Sequence, residues 1–204
     1  MVARAVMRSV VEAVPRGVPD DGGSSVGATQ YLADTFTDTN GTALTTHTMT
    51  LGPGWVGFGS QFFDIQSNAT REQFGVSGRI AADAGVADGV YRVTVGDANS
   101  FMILRLSDVD NQIALTNPSS TQLTLTKRVA AADTVIVSDS GLAVITYPAQ
   151  FKVTLSGNNI TCEVVGQSGQ QIAGTDAFNN TATRFGFGAN AALITYDDFS
   201  FQSA

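Results

Sequence analysis

Fifteen consecutive residues limit the fold more than any others: F-M-I-L-R-L-S-D-V-D-N-Q-I-A-L, from Phe101 to Leu115. The first run is dense in Phe, Met, Ile and Leu, the pattern of a strand covered on both faces of its sheet. Ser107, Asp108, Asp110 and Asn111 then interrupt it, because short polar side chains bond their own backbone and accept turn conformations. A second apolar run follows at once. Asp108, Asp110 and Asn111 imitate the start of a calcium loop, but Gln112 and Ile113 end the likeness before further oxygen ligands arrive, so the segment reads as a turn. Arg105 lies inside the run M-I-L-R-L and requires a carboxylate or carbonyl partner if it is buried, which marks it as a structural ion-pair residue.

The same alternation of short apolar runs and turn residues continues along the chain. Strands are predicted over residues 32–36, 55–58, 62–66, 74–81, 90–95, 122–129, 134–137, 149–155, 160–165, 183–188 and 194–201, spaced as in a sandwich. Gly52, Pro53 and Gly54 force a bend before Trp55, and S-G-N-N joins two strands as a hairpin, since Gly and Asn accept positive φ. No sustained helix is predicted after residue 30. The fold class is therefore all-β, a two-sheet antiparallel β-sandwich. With 204 residues, 43% of them hydrophobic and 14% charged, the chain has enough core for one large domain.

The first thirty residues differ. Val2, Val6, Val10 and Val14 recur every fourth residue, with Arg4, Arg8 and Glu12 elsewhere on the wheel. This predicts a short amphipathic helix or an extended arm whose valines need a surface. Pro15 and Pro19 stop any helix, and P-D-D-G-G-S-S-V-G reads as a tether. The boundary falls near Gln30, giving an N-terminal arm and linker over 1–30 and a jelly-roll domain over 31–204. The arm is read either as a disordered leader or as an attachment and oligomerisation segment, with the four valines as its partner-binding residues. Arg4, Arg8 and Glu12 break the apolar core that a secretory signal needs, so no such export is expected. No run approaches the ~18 apolar residues of a membrane span.

A formal net charge of −7 argues against a nucleic-acid partner, whose phosphates would be repelled. Cys162 is the only cysteine, which excludes an intrachain disulfide, and its alternating neighbours place it on a strand as a buried thiol. His47, the only histidine, cannot supply a zinc site with one cysteine. It reads as a packing or turn residue rather than as part of a catalytic triad.

Several segments resemble one family in order and spacing. They are D-T-F-T-D-T-N-G-T-A-L-T-T-H-T followed by G-P-G-W, then I-L-R-L-S-D-V-D-N-Q-I-A-L, F-K-V-T-L-S-G-N-N-I-T-C-E-V-V-G, F-G-F-G and Y-D-D-F-S-F. Together they resemble the concanavalin A-like lectin/glucanase superfamily, in particular the laminin-G-like jelly-roll domains of phage and bacterial proteins. The resemblance implies two packed antiparallel sheets with the first and last strands side by side. Asp34 would then stand near Asp197 or Asp198, either as capping aspartates or as a calcium site; no other cofactor is expected.

The superfamily's catalytic strand, Glu-x-Asp-x-x-Glu, is missing. Glu72 in T-R-E-Q-F and Glu163 in a hairpin have no second glutamate at close spacing. Sugar stacking would use exposed aromatics, for which Tyr91, Tyr147 and Tyr196 are candidates while Trp55 reads as core. The favoured expectation is a non-enzymatic virion structural protein, a phage capsid decoration, cement or fibre-type domain. It would be held at the virion surface to capsid or tail proteins by its arm, as a homo-oligomer. The alternative is an extracellular carbohydrate-binding lectin-like module that recognises a glycan, and the third reading is a glycoside hydrolase or lyase.

Overall fold

The structure, a computed structural model, describes residues 28–58, 63–72, 78–188 and 194–204. The valines of the arm, Val2, Val6, Val10 and Val14, lie outside the described residues. All regular structure described is strand. In chain order the strands are β1 (Gln30–Asp34), β2 (Val56–Phe58), β3 (Phe63–Gln66), β4 (Ala69–Glu72), β5 (Arg79–Asp83), β6 (Gly89–Val95), β7 (Phe101–Asp108) and β8 (Asn111–Ser119). They continue with β9 (Gln122–Val129), β10 (Ala132–Asp139), β11 (Ala149–Ser156), β12 (Asn159–Val164), β13 (Gln171–Thr175), β14 (Arg184–Gly188) and β15 (Thr195–Gln202).

They form two antiparallel sheets. One runs β13-β12-β11-β6-β15-β4-β3 with β1 added on β15, and the other runs β10-β9-β8-β7-β14-β5-β2. The first and last strands do pair, Asp34 opposite Phe199 and Gln30 opposite Gln202. Beyond the pairing, Thr29 N–H donates to Ser203 Oγ at 3.0 Å and Ser203 N–H returns a bond to the Thr29 carbonyl at 2.8 Å.

Alternation explains how the sheets face each other. Phe151, Val153 and Leu155 on β11 and Ile160, Cys162 and Val164 on β12 are buried, while the residues between them point outward. On β15, Tyr196 and Phe199 are three residues apart yet both buried, because a bulge between Asp197 and Ser200, with Asp198 at φ 48°, restores the face. Phe187 meets Trp55, Tyr196 and Phe199 with ring centroids 5.2, 4.5 and 5.5 Å apart. Each such buried phenylalanine contributes roughly 1.5–3 kcal/mol.

β7 is covered on both faces, as its composition predicts. Met102 and Leu104 enter the inter-sheet core, while Phe101, Ile103 and Leu106 pack with Ala81 and Ala114 on the outer face. Two strands had no signal: β4 reads A-T-R-E and β13 reads Q-I-A-G-T, neither with an apolar run. The strand predicted over 74–81 is seen from Arg79 onward, its earlier residues through 77 lying outside the described residues.

The β3 edge and the β13 and β10 edges are covered. Gly41 N–H donates to the Ile65 carbonyl at 2.8 Å and Leu44 N–H to the Phe63 carbonyl at 2.9 Å, which closes the edge of β3. At the opposite side β13 packs on β10. Gly174 makes this approach: a Cβ there would lie 3.0 Å from Ile136 Cγ2 and 3.1 Å from Val137 Cγ1. Among the described residues no helix is long and apolar enough to cross a membrane.

Candidate functional site

The acidic residues singled out by sequence gather at the end of β1. Asp34 is buried, and its Oδ1 accepts from Phe36 N–H at 2.9 Å and faces His47 Nε2 at 2.9 Å, while Oδ2 accepts from Trp55 Nε1–H at 2.7 Å. His47 Nδ1 stands 3.2 Å from Asp38 Oδ2. Burial alone would lower the pKa of His47, but its bonds to Asp34 and Asp38 outweigh that and raise it. Asp197 feels the charge of Asp34 and is pushed up to about 6, burial being the main cause, against the bond it accepts from Asp198 N–H. Donors thus occupy both oxygens of Asp34. Among the described residues no group of three or more His, Cys, Asp or Glu could hold a metal ion. The cluster pins the segment between β1 and β2 to the core.

Arg105 is the ion-pair residue its setting predicts. Fully buried, it crosses from β7 to the other sheet, donating through Nη2 to Asp88 Oδ1 at 2.9 Å and to the Gly157 carbonyl at 2.7 Å. Asp88 Oδ2 in turn accepts from Gly157 N–H at 2.9 Å. The Asp108 turn is a turn: its Oδ1 accepts from Asp110 N–H and from Asn111 Nδ2, both at 2.9 Å. Cys162 is buried, and burial pushes its thiol pKa well up. Tyr91 and Tyr196 are core residues, which removes two of the three stacking candidates; Tyr147 is part-buried.

On the outer face of the seven-stranded sheet, a patch over β5, β7 and β8 is closed by its own side chains. Arg79 lies 4.2 Å over the Phe101 ring and donates to Gln112 Oε1 at 3.1 Å and to the Gly78 carbonyl at 2.9 Å, and all three side chains are buried.

The outer face of the other sheet is open. Two rows of outward side chains cross β11, β12 and β13 in register. Thr154 faces Thr161, which faces Ala173; Lys152 faces Glu163, which faces Gln171. They line a groove of 460 Å³, in the ~300–1,000 Å³ range of small-ligand sites. Lys152 Nζ and Glu163 Oε1 pair at 2.8 Å, so the floor carries balanced charge among hydroxyls and an amide. A second groove of 500 Å³ follows the β12–β13 connection, lined from Glu163 to Gln171. Among the described residues, Glu163 is the only carboxylate that lines either groove. Sequence reasoning missed these residues, although the alternation that buries Ile160, Cys162 and Val164 turns Thr161 and Glu163 outward.

The fold is similar to that of the carbohydrate-binding module CBM66 from Bacillus subtilis, with TM-score 0.61 and 13% identity over 73% of this chain and 95% of that one. It is also similar to the GH43 protein BlXynB from Bacillus licheniformis, at TM-score 0.55 and 11% identity, covering 85% of this chain and 39% of that protein. A β-glucanase from Bacillus licheniformis superposes with TM-score 0.51 and 12% identity, over 86% of this chain and 98% of the enzyme. These likenesses establish the concanavalin A-like jelly-roll sandwich. No family model and no curated protein sequence matches the chain.

Proposed function

We propose that this chain is a non-catalytic carbohydrate-binding sandwich whose ligand surface is the groove on β11, β12 and β13. The observation that carries the reading is the pair of in-register rows, Thr154-Thr161-Ala173 and Lys152-Glu163-Gln171, facing outward in a groove of 460 Å³. Hydroxyl, amide, ammonium and carboxylate groups held on rigid strands match the mixed donors and acceptors of sugar hydroxyls. Glycoside hydrolysis requires two carboxyl groups flanking one bond, and among the described residues the grooves offer Glu163 alone. The fold shared with a carbohydrate-binding module supports the ligand class.

We place this module at a virion surface, with residues 1–30 attaching it to a capsid or tail protein as part of a homo-oligomer. The ground is the sequence pattern of Val2, Val6, Val10 and Val14, which recur every fourth residue between Arg4, Arg8 and Glu12.

A glycan array followed by calorimetry tests the ligand reading. Binding is expected, with a Kd of order 10⁻⁴–10⁻³ M because no aromatic ring among the described residues lines either groove, and with loss on T161K, which fills the groove. Release of reducing ends from any bound polysaccharide would overturn the non-catalytic assignment. For the attachment role, deletion of residues 1–30 should abolish incorporation into particles; normal incorporation would remove that role.

A further inference from the structure

The two grooves are one surface. Glu163 and Gln171, the last cross-strand pair of β12 and β13, line both, so the strand groove opens directly onto the groove of the connecting loop. Gly166 and Gly169 sit in the loop at φ 74° and 84°, and a Cβ at either would meet nothing within 4 Å, so the lip of the second groove is open. The loop is also held in place. Gln167 clasps Thr146 at both ends, Oε1 accepting from its N–H and Nε2 donating to its carbonyl, each at 2.9 Å.

Gln170 supplies the specific chemistry. It lines the loop groove, is 5% exposed, and its Oε1 is buried with no hydrogen-bond partner. Its Nε2 is tied only to the Val144 carbonyl at 3.4 Å, near the limit for such a bond. An amide with one weak bond and one orphaned acceptor gains by turning toward an arriving donor. A hydroxyl or an acetamido N–H satisfies that acceptor, whereas an ether oxygen or a carboxylate does not.

Resting on the carbohydrate reading above, we infer that the ligand is a linear oligosaccharide lying across both grooves. One part is held by the rows of β11–β13, and the next is selected in the loop groove by a hydroxyl or N–H donated to Gln170 Oε1. Gln170 is thus a specificity-determining residue.

Calorimetry on the full chain with cello-, xylo- and chito-oligosaccharides of two and four residues tests this. For the series that binds, the four-residue ligand should bind about tenfold tighter than the two-residue one, the scale of one extra satisfied subsite. The chito series distinguishes an acetamido donor from a hydroxyl. Q170M should cut the length advantage to about twofold or less while leaving the two-residue affinity unchanged, since it removes the acceptor and keeps the volume. Q170E, which keeps an acceptor, should retain the advantage, and unchanged thermal melts show that both variants are folded. Equal affinity for the two lengths, or a Q170M variant that keeps the full advantage, overturns the inference and leaves the β11–β13 groove standing. No binding by any series at either length overturns both.

Discussion

His47 Nε2 stands 2.9 Å from Oδ1 of Asp34, thirteen positions earlier in the chain, and both side chains are buried. The other ring nitrogen faces Asp38, so the arrangement is satisfied on both sides only by the imidazolium, which has two donors.

That geometry makes stability depend on pH with a defined sign. His47 has its pKa raised in the fold, so its contribution is complete below the ordinary histidine value and is lost as pH rises through the folded one. Asp197, pushed up to about 6 mainly by burial, also binds its proton more tightly folded than unfolded and acts in the same direction. Thermal melts should therefore give a Tm about 4 °C higher at pH 5 than at pH 8, corresponding to roughly 1–2 kcal/mol in a chain of this size. H47Q should reduce that difference to the part carried by Asp197, and an unchanged slope in H47Q would count against this account.

Trp55 anchors the same carboxylate. W55F removes the indole donor 2.7 Å from Asp34 Oδ2 and leaves a gap beside Phe187 and Phe199. Urea unfolding should report a loss of about 2–4 kcal/mol, the sum of a charged hydrogen bond and partial cavity formation.

The ion pair between the sheets should respond asymmetrically. D88A leaves the buried Arg105 guanidinium with the Gly157 carbonyl alone, whereas R105M leaves an Asp88 that is half exposed and still bonded to Gly157 N–H. Equilibrium unfolding should show D88A costing about 2–3 kcal/mol and R105M less than about 1.5 kcal/mol. The reverse order would show that the buried charge is solvated by another route.

Cys162 should be silent in the native state. Burial raises its pKa, and the thiolate that reacts is then scarce and shielded. A chromogenic disulfide reagent at pH 8 should label it only at the rate of unfolding and react rapidly in denaturant.

The approach of β13 to β10 tolerates no branched side chain. G174V would press on Ile136, Val137 and Leu125, all within 3.1 Å of the added Cβ, and should cost about 1–3 kcal/mol by calorimetric melting.

Most of the sandwich was legible in sequence because alternation records which side of a strand is wet. β7 announced its burial on both faces, and β11 and β12 their one-sided cover. β4 was hidden because its inward residues, Thr70 and Glu72, are polar, so no apolar period marked it. The Asp34 cluster was half legible: the pairing of the end strands brought Asp34 near Asp197, but the capture of its oxygens by His47 and Trp55 depends on a turn that returns the chain from 13 and 21 residues away. The grooves were invisible for another reason. Thr154, Thr161 and Gln171 are ordinary solvent-facing strand residues, and only the register of three strands places them in rows.

The bonds between Thr29 and Ser203 have a directional consequence. They close the sandwich where Val90 and Gln202 pair, whereas the loop of Gly166 and Gly169 projects where Val95, Ala149 and Tyr196 meet, at the far end of the same sheet. Residues 29 and 203 therefore share one end of the sheet, and the loop groove lies at the other. If residues 1–30 attach the domain as proposed, the proposed ligand surface would face away from the anchor.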